Sequence, residues 1–319
     1  MRKTSWRVIQ GLLGAVLLFF ITRSVIANWH EVAATPIVWQ IQPAWIIASL
    51  LVTWVMYGCL IWGWRLVLQG WRQWIGVLAA ARIWTISSLG KYIPGKIWAI
   101  AGMAMMAERQ GVSGIAATGS AVIMQLISLA TGAVLALALL PMDLLQRVRG
   151  GWIGAMVIAA VALISVLGLA SPSVTRRLGF VLRRPDAIQP VDPGALAGAV
   201  FANLVAWAGY GLAFQLLLRG TMPSIELSWA DATGAFAASY ISGYLFLLLP
   251  GGIGIREGFL VLLLKDTIGY GPAVALAALS RVTLTVNEIG AAAPFLLMRP
   301  TPPAAVDAPP GARSSAVSL

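Results

Sequence analysis

Long apolar segments follow one another along most of the chain, with only short polar stretches between them. A helix needs roughly 20 apolar residues to cross a bilayer. Six segments predict membrane-spanning helices: 8–27, 44–68, 114–140, 152–170, 194–218 and 271–297. Two further apolar regions, 75–107 and 231–264, are each interrupted by proline followed by glycine. The pattern predicts an all-α, polytopic integral membrane helical bundle.

The two interruptions lie in SSLGKYIPGKIW (87–98) and LLLPGGIGIREG (247–258). Proline removes a backbone donor and glycine permits non-helical angles, so each pair divides its apolar region into two short helices. Broken backbone at membrane depth is tolerated where protein buries it or where it lines a wet cavity. We therefore expect two re-entrant helical hairpins. The predicted hairpin breaks are Pro94, Gly95, Pro250, Gly251, Gly252 and Gly254.

Charged side chains accompany both breaks. The residues predicted to bind a lipid phosphate are Lys91, Tyr92, Lys96, Arg256 and Glu257. A Lys or Arg near the bilayer centre costs about 2.5–3.5 kcal/mol, which an anionic partner would offset. Free N–H groups at the start of a half-helix favour the same partner. Alternatively, the cations extend to the headgroup layer, or Arg256 pairs with Glu257 or Glu288.

The two halves of the chain repeat one order of segments. Aligning Pro94 with Pro250 places Gly95 on Gly251 and Ile97 on Ile253. Each half, about 44–140 and 194–297, then contains a span, a broken hairpin and a second span. The extra span 152–170 lies between the halves and makes the number of crossings between them odd. The second half is therefore predicted to be inverted relative to the first, an arrangement typical of transporters.

The last span carries three polar residues: Arg281, Asn287 and Glu288. Such groups usually face the interior of a bundle, so they are candidate cavity residues. They could equally hold neighbouring helices together. The same two interpretations apply to Gln125 and Asn203, for which the structural one is favoured.

The composition agrees with a membrane environment, because 59% of residues are hydrophobic and only 10% are charged. Soluble domains carry about 25% charged residues. The net charge of +11 resides in short loops rather than in a basic domain, which argues against nucleic-acid binding. Arg2, Lys3 and Arg7 precede the first span and predict a cytoplasmic N-terminus. Counting the spans places the C-terminus there too, in the inner (cytoplasmic) membrane.

Segment 1–298 is predicted to be a single membrane domain, and the Pro- and Ser-rich segment 299–319 a disordered cytoplasmic tail. The first apolar run is interpreted as an uncleaved helix, with a signal peptide as the alternative. Cys59 and His30 are the only residues of their types, so a disulfide within one chain and a His-based triad are excluded. We expect no metal and no cofactor.

The paired motifs SSLGKYIPGKIW and LLPGGIGIREG resemble those of the lysylphosphatidylglycerol synthase transmembrane family, a flippase-like membrane domain. The resemblance covers roughly residues 10–298 and implies a cell-envelope protein that handles lipids. It also implies that the motif residues around both breaks are the functional ones. No long polar domain follows Pro300, so the aminoacyl-transfer activity of fused members is not carried over.

The leading hypothesis is a lipid flippase or transporter that is not an enzyme. It would bind the phosphate-bearing headgroup of an anionic phospholipid or of a polyprenyl-phosphate-linked lipid. An ion gradient or downhill movement could drive it, since no Walker A motif is present. One alternative is a lipid-linked glycosyl or headgroup transferase, although carboxylates are sparse and no D-x-D pair occurs. Another is a non-catalytic membrane subunit of an envelope-lipid-modifying system, with an enzyme partner.

Overall fold

The computed structural model describes residues 37–93, 97–141, 151–181, 189–245, 252 and 254–298. Within these ranges the ordered elements are helices and no strand occurs, which confirms the predicted all-α class. The α-helices are α1 (Pro43–Gly70), α2 (Val77–Ser88), α3 (Ile97–Glu108), α4 (Gly114–Leu139), α5 (Gly151–Ala170), α6 (Pro172–Val181), α7 (Pro193–Thr221), α8 (Trp229–Leu245), α9 (Ile255–Ile268) and α10 (Tyr270–Leu297). A 3₁₀ helix, Leu89–Tyr92, follows α2.

Several predicted features lie outside the described residues. They are the first span 8–27, the tail 299–319, and the motif residues Pro94, Gly95, Lys96, Pro250 and Gly251. The predictions for these positions stay predictions.

Among the described residues, four helices are long and apolar enough to cross a membrane: α1, α4, α7 and α10. They contain 26 to 29 residues, which corresponds to about 40 Å at 1.5 Å per residue. That length exceeds the hydrocarbon thickness of about 30 Å. Large apolar side chains on their outer faces are exposed, among them Val55, Phe201 and Val286. These helices confirm a membrane-spanning protein.

Helices α1 and α7 make the most extensive helix–helix contact of the described structure. Small residues permit the close approach, because a side chain added at Gly63 would lie 3.1 Å from Cβ of Ala202. The hydroxyl of Ser49 donates a 2.6 Å hydrogen bond to the carbonyl oxygen of Ala213. The first long helix of each half thus joins the two halves.

In the part of each half that the structure describes, two short α-helices lie between two long ones, in the order predicted from the sequence. Helices α2 and α3 have 12 residues each, about 18 Å, so neither crosses a bilayer alone. Helices α8 and α9 have 17 and 14 residues, about 26 and 21 Å. Re-entry of these pairs from opposite membrane faces, and the inverted repeat, stay predictions.

The described residues between the halves form one helix that the sequence predicted and one that it did not. Helix α5, Gly151–Ala170, is the extra apolar segment, and it packs against α4. Helix α6, Pro172–Val181, follows it in a segment for which the sequence predicted no helix. Arg176 and Arg177 are exposed on α6, whereas Thr175 is buried.

Candidate functional site

A cavity of about 240 Å³ lies between the two sets of short helices. Its lining includes residues of α1, α2, α3, α4, α7, α8, α9 and α10 and of the 3₁₀ helix. Among the described residues, the charged ones on this lining are Lys91, Arg256, Arg281 and Glu288. The cavity therefore contains charged groups from both halves of a largely apolar chain.

The first charged cluster joins the 3₁₀ helix to α10. Lys91 Nζ forms an ion pair with Oε1 of Glu288. The hydroxyl of Tyr92 donates a 2.9 Å hydrogen bond to Glu288 Oε2 and lies 3.1 Å from the hydroxyl oxygen of Thr285. Thr285 and Glu288 are three residues apart and so lie on the same helix face. Both oxygens of the Glu288 carboxylate thus have partners from the first half of the chain.

The second charged cluster joins the start of α9 to α10. Oε1 of Glu257 lies 3.7 Å from Nη1 of Arg256 and 3.8 Å from Nη1 of Arg281. The other carboxylate oxygen, Oε2, accepts a 2.8 Å hydrogen bond from the backbone N–H of Gly254 at the N-terminus of α9. Arg256 Nη2 donates to the hydroxyl of Ser280 at 3.2 Å. One carboxylate therefore serves two guanidinium groups, at distances longer than a hydrogen bond.

Aromatic rings connect the two clusters. The Tyr92 ring centroid lies 5.5 Å from Lys91 Nζ and 5.9 Å from Arg281 Cζ. Arg256 Cζ lies 5.1 Å from the centroid of the Phe236 ring. These distances are within the range of cation–π attraction. Three cations thus lie close to two carboxylates, and the described cluster retains one positive charge.

Arg256 is only 2% exposed, yet its Nε and Nη1 atoms have no hydrogen-bond partner within the described structure. Glu257 Oε1 also lacks a hydrogen bond there. Buried donors without partners cost about 1–3 kcal/mol each, and more when charged. The surrounding side chains enclose these atoms, so a ligand would reach them only after a small movement of the neighbouring side chains. The site therefore has unmet capacity to donate hydrogen bonds to an anion.

The structure brings most of the described candidate residues together. Lys91, Tyr92, Arg256, Arg281 and Glu288 all line the cavity. Two candidates are placed differently within the described residues: Glu257 and Asn287 are buried but do not belong to the lining. The position of Glu257 fits a role in orienting Arg256 better than the predicted direct contact with a lipid phosphate. Asn287 instead accepts a 3.4 Å hydrogen bond from the indole of Trp54 through its backbone oxygen.

Gly252 and Gly254 adopt left-handed backbone angles, with φ of 67° and 84°. Gly252 is one of the hairpin breaks predicted from the sequence. Its actual neighbour is Gly243 of α8, since an added Cβ at Gly252 would lie 2.7 Å from both Cα and O of Gly243. Because neither Gly243 nor Gly252 has a side chain, the backbone at Gly252 packs directly on α8.

The Gly252→Ala variant is expected to lose about 1–3 kcal/mol of stability, because it combines a disfavoured backbone angle with a backbone clash. Gly258→Ala is the matched control: Gly258 is an exposed helical residue of α9, and an added Cβ there meets nothing within 4 Å. This control should be neutral or slightly stabilising. Thermal unfolding in one detergent compares them, and equal melting temperatures would contradict the packing described for Gly252.

The aromatic part of the cavity was not predicted from the sequence. Six aromatic side chains line it in addition to Tyr92 and Trp84: Tyr57, Trp207, Tyr210, Phe236, Tyr240 and Tyr244. Trp207 and Tyr210 are three residues apart on α7, and Phe236 and Tyr240 are four apart on α8, so each pair lies on one helix face. Gly211 permits close packing beside Tyr210, because its Cβ would lie 2.6 Å from Cα of Thr233. Aromatic residues three or four positions apart on a membrane helix are therefore the sequence feature that could have predicted this part of the cavity.

These observations define a multi-pass helical membrane protein with a charged, aromatic-lined cavity between two sets of short helices. The chain belongs to the lysylphosphatidylglycerol synthase TM region family, whose profile matches residues 7–286. The match includes both interrupted motifs and, of the described charged residues of the cavity, all but Glu288, which lies two positions beyond its end. No curated protein sequence matches the chain. Membership establishes a membrane protein with a lipid-related role.

Proposed function

We propose that this protein binds the phosphate-bearing headgroup of a membrane lipid in the cavity and moves it between leaflets. The observation that carries the proposal is Arg256, a buried cavity arginine with two nitrogens that lack hydrogen-bond partners in the described structure. A phosphate oxygen would accept from the guanidinium with charge-assisted hydrogen bonds. The positive charge left on the described cluster favours an anionic ligand over a neutral or cationic one.

The arginines and Lys91 have different roles in this proposal. Arg256 and Arg281 hold the phosphate from α9 and α10, and Glu257 fixes the position of both guanidinium groups. Lys91 is held by Glu288 and adds positive charge from the other half of the chain. The sequence adds Lys96 to the phosphate-binding set, as a prediction for a position outside the described residues.

The size of the cavity fits a headgroup and not a whole lipid. Ligand pockets usually measure about 300–1,000 Å³, and this one is smaller at about 240 Å³. We infer that the hydrocarbon tails stay in the bilayer while the headgroup occupies the cavity. The lipid is an anionic phospholipid or a polyprenyl-phosphate-linked lipid.

We also propose that the protein transports its lipid without changing it chemically. Both carboxylates nearest to the cavity cations interact with those cations, Glu288 with Lys91 and Glu257 with both arginines. Neither is an uncommitted acid or base of the kind that transferase chemistry requires. The mass of the lipid before and after incubation with the purified protein tests this, and a new product would overturn it.

Reconstitution into lipid vesicles tests the proposed function. A trace of a fluorescent anionic phospholipid, or of a polyprenyl phosphate, is placed in both leaflets, and a membrane-impermeant reagent destroys the outer-leaflet signal. Vesicles with the protein should lose nearly all signal, whereas protein-free vesicles should stop at about half. Curves that match those of protein-free vesicles for every phosphate lipid would contradict lipid translocation.

We further propose an inner-membrane location with both termini in the cytoplasm and hairpins that enter from opposite sides. The charge pattern of the loops supports this orientation. Single cysteines at Arg82, on α2, and Trp229, at the start of α8, provide the test after Cys59→Ser. An impermeant thiol reagent should reach the two positions from opposite sides of the membrane. Labelling of both from one side would reject the inverted arrangement.

A further inference from the structure

Five of the aromatic rings that line the cavity are in continuous contact and form one surface, which we call the aromatic wall: Tyr57, Trp207, Tyr210, Phe236 and Tyr240. Neighbouring ring centroids are 5.5–6.4 Å apart, from Trp207–Tyr240 to Trp207–Phe236. Phe236 stacks between Tyr210 and Tyr240 with interplanar angles of 27° and 22°. Such close contact fills the space between the rings, so a ligand would pack on the wall and not between its members.

The aromatic wall lies directly beside the position proposed for the phosphate. Arg256 Cζ lies over the ring of Phe236, the central member of the stack. A phosphate held by Arg256 would therefore place its headgroup substituent beside the wall. This inference rests on the proposed function, because the phosphate bound by Arg256 sets where the rest of the headgroup lies.

Polar groups that suit hydroxyl recognition lie on the same lining. The hydroxyl of Tyr57 is buried without a hydrogen-bond partner in the described part of the chain. Asn203 donates through Nδ2 to the carbonyl of Ala199 at 3.1 Å, which leaves its Oδ1 as an acceptor. Gln125 adds a second amide. These neutral groups can both donate and accept, and a ligand hydroxyl group requires partners of both kinds.

The placement of the cations argues against a cationic headgroup on the wall. A positively charged ligand group would seek the exposed ring faces. Arg256 already lies over Phe236, and Lys91 and Arg281 lie over Tyr92. A further cation would meet these charges in a medium of low dielectric constant, where like-charge repulsion is strong.

We propose that the aromatic wall binds a glycosyl unit that is joined through phosphate to the lipid. A sugar ring offers apolar C–H faces, which pack on aromatic rings, and hydroxyl groups, which pair with the Tyr57 hydroxyl and the amides of Gln125 and Asn203. The substrate class is thus a glycosylated phosphate lipid. Tyr57 and Gln125 determine specificity for the sugar, and Arg256 binds the phosphate that all phosphate lipids share.

Binding of four defined lipids to the purified full chain in detergent micelles tests the proposal. The probes are polyprenyl phosphate, the same lipid with one hexose on the phosphate, phosphatidylglycerol, and phosphatidylglycerol esterified with lysine. The hexose-bearing lipid should bind at least about tenfold more tightly than polyprenyl phosphate, a difference of one good buried polar interaction. The lysine-esterified lipid should bind more weakly than phosphatidylglycerol.

Two variants test whether residues of the cavity lining cause the preference for the hexose-bearing lipid over polyprenyl phosphate. Tyr57→Phe removes only the hydroxyl, and Gln125→Ala removes one amide; each should reduce affinity for the hexose-bearing lipid and leave polyprenyl phosphate unchanged. Tyr270→Phe, at the start of α10 and outside the cavity lining, is the matched control and should change neither. Loss of affinity for both lipids, or for neither, would overturn the assignment of these residues to the sugar.

The outcomes separate this inference from the proposed function. Equal affinity for the hexose-bearing and bare lipids would overturn the glycosyl proposal and leave phosphate-lipid binding intact. Tighter binding of the lysine-esterified lipid would overturn it in favour of a cationic headgroup. Absence of binding by all four lipids would overturn the proposed function and the glycosyl proposal together.

Discussion

Replacing Arg256 with alanine is expected to reduce lipid translocation in reconstituted vesicles about ten- to hundredfold. The reason is the loss of hydrogen bonds to an anion, which contribute about 1.5–3 kcal/mol each when one partner is charged. The substitution also leaves Glu257 with Arg281 as its remaining described cationic neighbour within 4 Å. Initial rates per mole of reconstituted protein are the measurement.

Two further variants make the Arg256 result interpretable. Arg256→Lys keeps the charge but loses the planar donor geometry, so its rate should fall between those of the wild type and Arg256→Ala. Arg177→Ala removes an exposed arginine of α6, outside the cavity lining, and should leave the rate unchanged. Thermal unfolding of each variant separates a lost site from a lost fold. A correctly folded Arg256→Ala protein with a wild-type rate would contradict the assigned role.

The second large effect is expected at the ion pair between Lys91 and Glu288. Lys91→Met leaves a buried carboxylate without its cation, and Glu288→Gln leaves the ammonium without its anion. Breaking a fully buried pair costs about 3–5 kcal/mol. The Lys91 side chain is 27% exposed and that of Glu288 only 7%, so the unpaired charge left by Lys91→Met is the more deeply buried one. Lys91→Met should therefore reduce the free energy of unfolding more than Glu288→Gln, for which we expect a loss of about 1–3 kcal/mol.

The double variant Lys91→Met/Glu288→Gln isolates the interaction between the two residues. It removes both charges, so its melting temperature should exceed that of Lys91→Met and the two effects should not add. Melting temperatures of all four proteins in one detergent are compared. Strict additivity of the two single effects would show that the pair contributes nothing to joining the 3₁₀ helix and α10.

Much of the architecture follows from hydropathy alone. Apolar segments of sufficient length, and Pro-Gly pairs that no helix accommodates, predict the four long helices and the two sets of short ones. The cationic candidates were also accessible, because charge inside an apolar chain requires a partner. For this reason Lys91, Arg256, Arg281 and Glu288 could be identified before their contacts were known.

The pairing of those charges could not be predicted, because it depends on which helix faces meet. The sequence left open whether Arg256 pairs with Glu257 or Glu288, and the structure places Arg256 beside Glu257 and pairs Glu288 with Lys91. The aromatic wall was missed for a related reason. Trp, Tyr and Phe occur in several of the membrane helices, and only the packing of α7 against α8 and α1 shows that five of them share one surface. Helix α6 was missed because a basic loop and a short amphipathic helix have similar composition.

The most direct test of the account is an experimental structure of the protein in a lipid bilayer disc that contains the preferred phosphate lipid. The account predicts density for a phosphate within about 3 Å of the Arg256 guanidinium, a typical charge-assisted hydrogen-bond distance, with tails that extend into the bilayer. Arg256 and Lys91 facing bulk water, with no headgroup density between the two sets of short helices, would contradict it.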